Sequence, residues 1–90
     1  MEHSEGVHKG QITLYALSTC VWCKRTKLLL QDLGVAYDYV YVDNLSGDAR
    51  NKTVEEIKRW NPKCSFASLV INNSQCIVGF DEKKIREAIG

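Results

Sequence analysis

The chemistry of this chain is concentrated in Cys20 and Cys23, two cysteines separated by Val21 and Trp22. The pair lies where an apolar, strand-like run at 12–17 gives way to a helix-like run. At a helix start, unpaired backbone N–H groups and the positive end of the helix dipole favour a thiolate. A second thiol one turn further on can displace whatever the first has captured. The spacing therefore predicts thiol–disulfide exchange, with Cys20 as the nucleophile and Cys23 as the resolving thiol.

Basic side chains follow the pair directly. Lys24, Arg25 and Lys27 add positive charge close to the thiols, and a nearby cation favours the ionised form of an acid. The two histidines, His3 and His8, lie in the N-terminal segment, so no histidine base is expected beside Cys20. We therefore expect the helix end and its basic neighbours, with Lys24 in a supporting role, to activate the nucleophile.

A zinc site is the alternative interpretation of a chain with four cysteines. Structural zinc sites usually repeat a short ligand spacing, whereas eleven residues separate Cys64 from Cys76. The sequence therefore predicts no metal site. Cys76 lies in a predicted strand and is expected to be buried and inert, because free cysteine is among the most buried residue types. Cys64 is either a third redox cysteine near the thiol pair or a simple loop residue.

Composition limits the remaining classes of function. A chain of 90 residues allows one domain with one core, and its net charge of +1 gives no bulk electrostatic reason to bind nucleic acid or an anionic membrane. Its apolar runs are far shorter than the ~20 residues that span a bilayer. The N-terminus also lacks the apolar stretch of a secretory signal, so a cytoplasmic location and no membrane partner are expected.

The chain divides into a predicted flexible tail at 1–10 and a single domain at 11–90. The tail has Val7 as its only internal apolar residue, too little to order it. The domain alternates strand and helix patterns, which favours a layered α/β fold with helices on both faces of a sheet. The predicted strands are 11–17, 35–42, 67–71 and 75–78. The predicted helices are 21–33, 53–60, starting at a capping box of Thr53 and Glu56, and 81–89.

Three motifs together resemble glutaredoxins or closely related glutaredoxin-like redoxins. They are Cys-Val-Trp-Cys-Lys at 20–24, Trp-Asn-Pro-Lys-Cys-Ser-Phe at 60–66 and Val-Gly-Phe-Asp at 78–81. The resemblance covers roughly 11–90 and implies a thioredoxin-like fold of order β-α-β-α-β-β-α. It further implies a four-stranded mixed sheet of order 2-1-3-4 and three helices on its two faces. The implied activity is a thiol–disulfide oxidoreductase that acts on disulfide-containing proteins, usually with glutathione as reductant.

The same resemblance implies where glutathione would bind. The groove would be formed by Cys20, the loop at Phe66 and Ala67, and the start of the last helix at Phe80 and Asp81. The N–H and carboxylate of Asp81 would receive the γ-glutamyl end, while the same residue can also cap the helix. Lys63 is a weaker candidate for a carboxylate partner. Trp22, next to Cys20, is expected to be exposed and to form part of the docking surface.

Two positions depart from the family pattern. Val21 stands where a proline usually follows the first cysteine, which leaves the redox potential open. Ala67 stands where a cis-proline usually starts the third strand. A non-proline cis bond costs about 2.5–4 kcal/mol, so the bond between Phe66 and Ala67 is expected to be trans, with altered substrate affinity.

Two alternatives remain open beside the dithiol oxidoreductase. The first is a redoxin reduced directly by a flavoprotein of the thioredoxin-reductase type, because Gly79 and Phe80 resemble that class. The second is an iron–sulfur cluster held by Cys20 with Cys23 or glutathione, suggested by the departures at Val21 and Ala67. The primary expectation is a monomer without a tightly bound cofactor.

Overall fold

The structure, a computed structural model, describes residues 2–89 and arranges them in a mixed α/β layer. The strands are β1 (Glu2–Ser4), β2 (Ile12–Ala16), β3 (Tyr37–Tyr41), β4 (Ser68–Ile71) and β5 (Gln75–Val78). The helices are α1 (Val21–Asp32), α2 (Gly47–Trp60) and α3 (Glu82–Ile89), with a 3₁₀ turn at Val42–Asn44 between β3 and α2. Met1, the first residue of the predicted tail, and Gly90, the last residue of the predicted domain, lie outside the described residues.

The five strands form one sheet of order β1-β3-β2-β4-β5. β2 runs parallel to β3 and antiparallel to β4, and β4 and β5 form an antiparallel hairpin. The predicted order 2-1-3-4 is thus confirmed as β3-β2-β4-β5, and the fold is thioredoxin-like. No helix within 2–89 combines the length and the apolar character that crossing a bilayer requires.

The N-terminal segment differs from the prediction, since β1 adds a fifth strand antiparallel to β3. Further along, the N–H of Val7 donates to the carbonyl of Gly34 at 2.8 Å. Gly6 permits this approach, because a Cβ there would lie 2.6 Å from the carbonyl carbon of Val35. The sequence predicted a tail because the segment lacks apolar side chains. Its order instead comes from backbone hydrogen bonds to an otherwise open sheet edge.

The start of α2 also differs from the prediction. The helix begins at Gly47, and Thr53 lies inside it with its hydroxyl donating to the carbonyl of Ala49 at 2.8 Å. The predicted capping box is therefore wrong, and α2 begins six residues before the predicted start at 53. The first turns of α2 are exposed, so they carry no apolar periodicity that would reveal a helix in the sequence.

The sheet separates two apolar clusters. On one face α1 and α3 pack with Leu14, Leu30 and Ile85, which are almost completely buried. On the other face α2 packs through Ile57 against Tyr15. Alternation along β2 sends its neighbouring side chains to opposite faces, as in a strand covered on both sides. This arrangement brings the carboxyl end of β2 to the start of α1, where the two cysteines lie.

Candidate active site

Cys20 caps the N-terminus of α1. Its backbone is extended, with φ −84° and ψ 119°, and its Sγ accepts a hydrogen bond from the N–H of Cys23 at 3.2 Å. The side chain is half-buried, so it remains reachable from solvent. A sulfur in this position receives a backbone donor and lies at the positive end of the helix dipole.

Cys23 is held in a contrasting environment. Its side chain is only 2% exposed. Burial, followed by the hydrogen bond with Cys20, raises the pKa of Cys23 to about 12. Both cysteines are free. One thiol of the pair is therefore accessible at a helix end, while the other keeps its proton inside the core.

The raised pKa of Cys23 predicts that the reduced protein loses stability at alkaline pH. Its thiol has an ordinary pKa of 9.0, so above pH 9 the unfolded chain releases a proton that the folded chain retains. The free energy of unfolding should fall by up to about 1.4 kcal/mol per pH unit as the pH rises through this window toward 12. Denaturant unfolding of the reduced protein at several pH values measures this slope.

Cys23→Ala supplies the control for this experiment. Burial also raises the pKa of Tyr15 to about 12, and this contribution remains in the variant. Burial also raises the pKa of Cys76, so the variant should lose only part of the slope that begins near pH 9 and should keep the part that begins near pH 10. Equal slopes in the two proteins would contradict the assignment to Cys23.

Asp43 anchors the turn that leads into Cys20. One carboxylate oxygen of Asp43 accepts the N–H of Ser18 at 2.9 Å, and the other accepts its hydroxyl. These two hydrogen bonds hold the pKa of Asp43 below its ordinary value. Ser18 follows β2 and Asp43 follows β3, so the carboxylate joins the ends of two parallel strands. The residues singled out from the sequence did not include Asp43; its place after the second of two parallel strands was the signal that could have identified it.

Loss of this anchor is expected to slow the reaction of Cys20. Asp43→Ala removes the acceptor for two donors of Ser18 and loosens the turn before Cys20, so the rate of Cys20 alkylation by iodoacetamide should drop about fivefold. Asp48→Ala removes an exposed carboxylate within α2 and is the matched control. The same drop in both variants would contradict the assignment to loop anchoring.

The loop before β4 places Ala67 beside the thiol pair. Ala67 is fully buried in the same apolar cluster as Cys23, and half-buried Phe66 packs against both clusters. The bond between Phe66 and Ala67 is cis, so the expectation of a trans bond was wrong. That expectation rested on the intrinsic cost of a non-proline cis bond, because the packing around this loop is not visible in the sequence.

Hydrogen bonds fix the two ends of this loop. The Asn61 amide donates to the Ser65 hydroxyl at 2.9 Å, and the Ser68 hydroxyl donates to the Ser65 carbonyl at 2.6 Å. On the far side the N–H of Gly79 donates to the carbonyl of Ala67 at 2.8 Å. Gly79 has a φ of +76°, a left-handed conformation that favours glycine. The segment before α3 is thereby tied to the loop beside the thiols.

Trp22 and Phe80 form an aromatic wall at the edge of the site. Their rings are stacked with centroids 6.3 Å apart, and the Arg25 guanidinium lies 5.1 Å from the Trp22 ring centre. Trp22 is 53% exposed, as the sequence predicted. The carboxylate of Asp81 accepts the N–H of Lys84 at 3.1 Å, so Asp81 caps α3.

Most of the residues in the predicted groove are brought together. Cys20, Phe66, Ala67 and Phe80 pack in or against one apolar cluster, and Trp22 joins them through its stack on Phe80. Lys63 is exposed in the loop after α2 and packs in neither cluster, and Lys24 is exposed on α1. The functional roles of these residues, including Asp81, stay predictions.

Cys64 and Cys76 pack against a different apolar cluster from the one that contains the thiol pair. Both are half-buried and pack against the α2-side cluster, whereas Cys20 and Cys23 belong to the other one. Cys76 is therefore less buried than predicted, although burial still raises the pKa of its thiol. In the part of the chain that the structure describes, no group of three or more His, Cys, Asp or Glu side chains is gathered to hold a metal ion.

Comparison with known proteins adds independent information. The family model described as Glutaredoxin matches residues 12–74. The glutaredoxin structure from Methanosarcina mazei Go1 is 55% identical, with a TM-score of 0.93, and the match covers 99% of this chain and 86% of that one. The methanoredoxin structure from Methanosarcina acetivorans is 49% identical, with a TM-score of 0.91 and coverage of 94% and 90%.

A glutaredoxin from Archaeoglobus fulgidus is 31% identical, with a TM-score of 0.83 and coverage of 89% of this chain and 86% of that one. No curated protein sequence matches closely enough to count as a relative. The matched family model covers more than half of the chain and includes both Cys20 and Cys23. The chain therefore belongs to the glutaredoxin family, with Cys20 and Cys23 as its redox pair.

Proposed function

We propose that the protein reduces disulfides of proteins and mixed disulfides of glutathione by a dithiol mechanism. Membership of the glutaredoxin family implies thiol–disulfide oxidoreductase activity. The observation that carries the dithiol assignment is the asymmetry of the pair. Cys20 is accessible and accepts a backbone N–H at a helix end, whereas Cys23 is buried with its pKa raised to about 12.

The reaction proceeds in two exchanges. The Cys20 thiolate attacks one sulfur of the substrate disulfide, forms a mixed disulfide and releases the other sulfur as a thiolate, which takes up a proton. Cys23 then loses its proton and attacks the sulfur of Cys20, which frees the second substrate thiolate. The protein ends with a Cys20–Cys23 disulfide, and two electrons have passed to the substrate.

Glutathione is the reductant that we propose for the return to the dithiol. The aromatic wall of Trp22 and Phe80 and the buried Ala67 border Cys20 and support a groove for a cysteinyl substrate. The γ-glutamyl end would lie at Asp81, whose carboxylate already accepts one N–H of α3, and Lys63 is the candidate partner of a carboxylate.

A second reductant is supported by one relative. The Methanosarcina acetivorans protein, 49% identical, is called a methanoredoxin, which motivates tests with reductants other than glutathione. The alternative is direct reduction by a flavoprotein of the thioredoxin-reductase type. The proposal also includes a monomer in the cytoplasm, where cysteines are kept reduced.

Turnover with matched electron donors tests the reductant. The oxidised protein is supplied either with glutathione and its reductase or with a thioredoxin reductase, and NADPH consumption is followed with a peptide disulfide as substrate. Sustained turnover with glutathione alone supports the proposal. Turnover with the flavoprotein alone would mean that a thioredoxin-reductase-type flavoprotein, and not glutathione, is the reductant. If neither donor supports turnover, stoichiometric reduction of the peptide disulfide by the reduced protein would still establish the dithiol chemistry.

The iron–sulfur alternative, a cluster held by Cys20 with Cys23 or glutathione, is the less favoured candidate. A cluster needs accessible thiolate ligands, and Cys23 is only 2% exposed, so the version that uses both thiols of the pair would require Cys23 to leave the core. Anaerobic reconstitution with iron and sulfide, followed by visible absorption, is expected to give no stoichiometric cluster.

A further inference from the structure

One face of α1 continues directly from the thiol. Cys20, Lys24, Lys27 and Gln31 are spaced three or four residues apart and therefore lie along one side of the helix. Together with Leu28 and Tyr41, the last three line a cavity of about 350 Å³ between α1 and the end of β3. We call this cavity the α1–β3 groove. Tyr41 pairs with Ala16 at the end of β2, so the groove begins beside the turn that carries Cys20.

The groove contains a fixed positive charge. The Lys27 ammonium donates to the Tyr41 hydroxyl at 3.2 Å and lies 3.9 Å from the centre of the Tyr39 ring. The tyrosine rings therefore hold the cation in place at the base of the groove. Burial acts to lower the pKa of Lys27, but the hydrogen bond to Tyr41 and the neighbouring tyrosines raise it above its ordinary value, so the side chain stays charged.

The charge of α1 is not balanced by its own carboxylates. Asp32 is its single acidic residue, and it lines a different cavity together with Arg25. Across residues 2–89, none of the ion pairs involves a cation of α1. Leu28 is also 59% exposed at the groove, although it is a large apolar side chain. Within the described residues, the groove thus presents two lysine side chains without ion-pair partners, beside the exposed side chain of Leu28 and next to the sulfur of Cys20.

We propose that the α1–β3 groove receives an acidic segment of the protein whose disulfide Cys20 attacks. This inference rests on the proposed function and specifies its substrate class. Lys24 and Lys27 would contact carboxylates, and Leu28 would contact an apolar side chain of the same segment. The complementary charge favours encounter and orientation more than it favours tight binding. The segment is part of a protein because the groove follows α1 well beyond the reach of a single amino acid.

The geometry sets the spacing of the acidic residues. Lys24 lies about 6 Å along the helix axis from Cys20 and Lys27 about 10 Å, at 1.5 Å per residue. An extended peptide covers about 3.3–3.6 Å per residue. The carboxylates should therefore lie about two to three residues from the substrate cysteine, with the apolar side chain directly after them.

Two peptides that differ only in charge test the proposal. Each carries its cysteine as a mixed disulfide with 2-thiopyridine. One peptide has Glu at the second and third positions from the cysteine and Leu at the fourth, and the other has Gln in place of Glu. Reduced protein in excess attacks the peptide sulfur, and released thiopyridone reports a single turnover without any external reductant. The acidic peptide is expected to react about tenfold faster at low salt, with most of this difference lost at about 0.5 M salt.

Variants locate the effect on the protein. Lys27→Met should slow the acidic peptide about threefold relative to the neutral one. Lys24→Gln should lower the same acidic-to-neutral rate ratio about threefold, and the ratio cancels any change in the reactivity of Cys20 itself. Gln31→Glu places a carboxylate in the groove on an exposed residue and should also slow the acidic peptide alone. Lys52→Gln removes an exposed cation of α2 and is the matched control, with no change expected.

Several results would overturn the docking proposal. Equal rates for the two peptides, or an equal loss in Lys52→Gln, would show that the groove does not select acidic segments. Competition by free succinate as strong as that by a cysteine-free acidic peptide would show that the site takes small anions instead. Failure of both peptides to react would overturn the proposed function and this proposal with it, whereas equal reaction of both would overturn this proposal only.

Discussion

Replacement of Cys20 by serine is expected to lower the rate of disulfide reduction by about a thousandfold or more, because the alcohol cannot replace a thiolate as nucleophile. Cys23→Ser should instead retain the first exchange and stop at the mixed disulfide between Cys20 and the substrate. The reason is positional, since only Cys20 is both accessible and capped by a backbone N–H. Single-turnover rates together with mass spectrometry of the trapped adduct distinguish the two outcomes.

Cys64 and Cys76 supply the controls for this experiment. Both pack on the α2 side of the sheet, so their replacement by serine should leave the first exchange unchanged. A first exchange that survives in Cys20→Ser, or an adduct that forms on Cys23 in the wild-type protein, would contradict the assignment of the nucleophile. A loss of rate in Cys64→Ser would indicate that this residue is a third redox cysteine.

Leu30→Ala is expected to destabilise the protein by about 3 kcal/mol, within the range of about 2–5 kcal/mol for a buried leucine. Leu30 is fully buried in the cluster that supports Cys23, so its truncation removes apolar contacts and leaves a cavity behind α1. A loss of this size is a large fraction of the stability of a small domain. Denaturant unfolding of the reduced protein, with the midpoint and the slope both fitted, measures it.

Leu28→Ala is the matched control, because it makes the same chemical change on the same helix. Leu28 is 59% exposed, so its loss should change the free energy of unfolding by no more than about 0.5 kcal/mol. Similar destabilisation by both substitutions would contradict the orientation of α1. If α1 were turned to bury Leu28, Lys24 would also move, and the α1–β3 groove would not exist.

These two leucines show how far the sequence could be interpreted. The sequence correctly predicted an amphipathic helix around these leucines, because apolar residues recur there at helical spacing. It could not tell which leucine is exposed, because a run of identical apolar residues covers more than one face. The bounds of the last strand were easier to predict from the sequence, and β5 lies at 75–78 as expected.

Contacts between distant segments were not visible in the sequence. The Asp43 carboxylate reaches Ser18, twenty-five residues away, only because β3 and β2 end at the same edge of the sheet. β1 has no apolar pattern that would reveal it in the sequence, because backbone hydrogen bonds to β3 and not buried side chains order it. The cis bond before Ala67 contradicted an expectation based on a single dipeptide. For Asp43 and for β1 the deciding partner lies far away along the chain.

The sequence by itself determined the chemistry of this protein: two thiols one helical turn apart, at the junction of a strand and a helix, because thiol spacing and helix-end electrostatics are local properties. Only the tertiary structure decided how unlike those thiols are, since the burial of Cys23 depends on packing against Ala67 and other residues distant in sequence. It also decided which face of α1 stays exposed beside Cys20, because the opposite face is covered by the rest of the core.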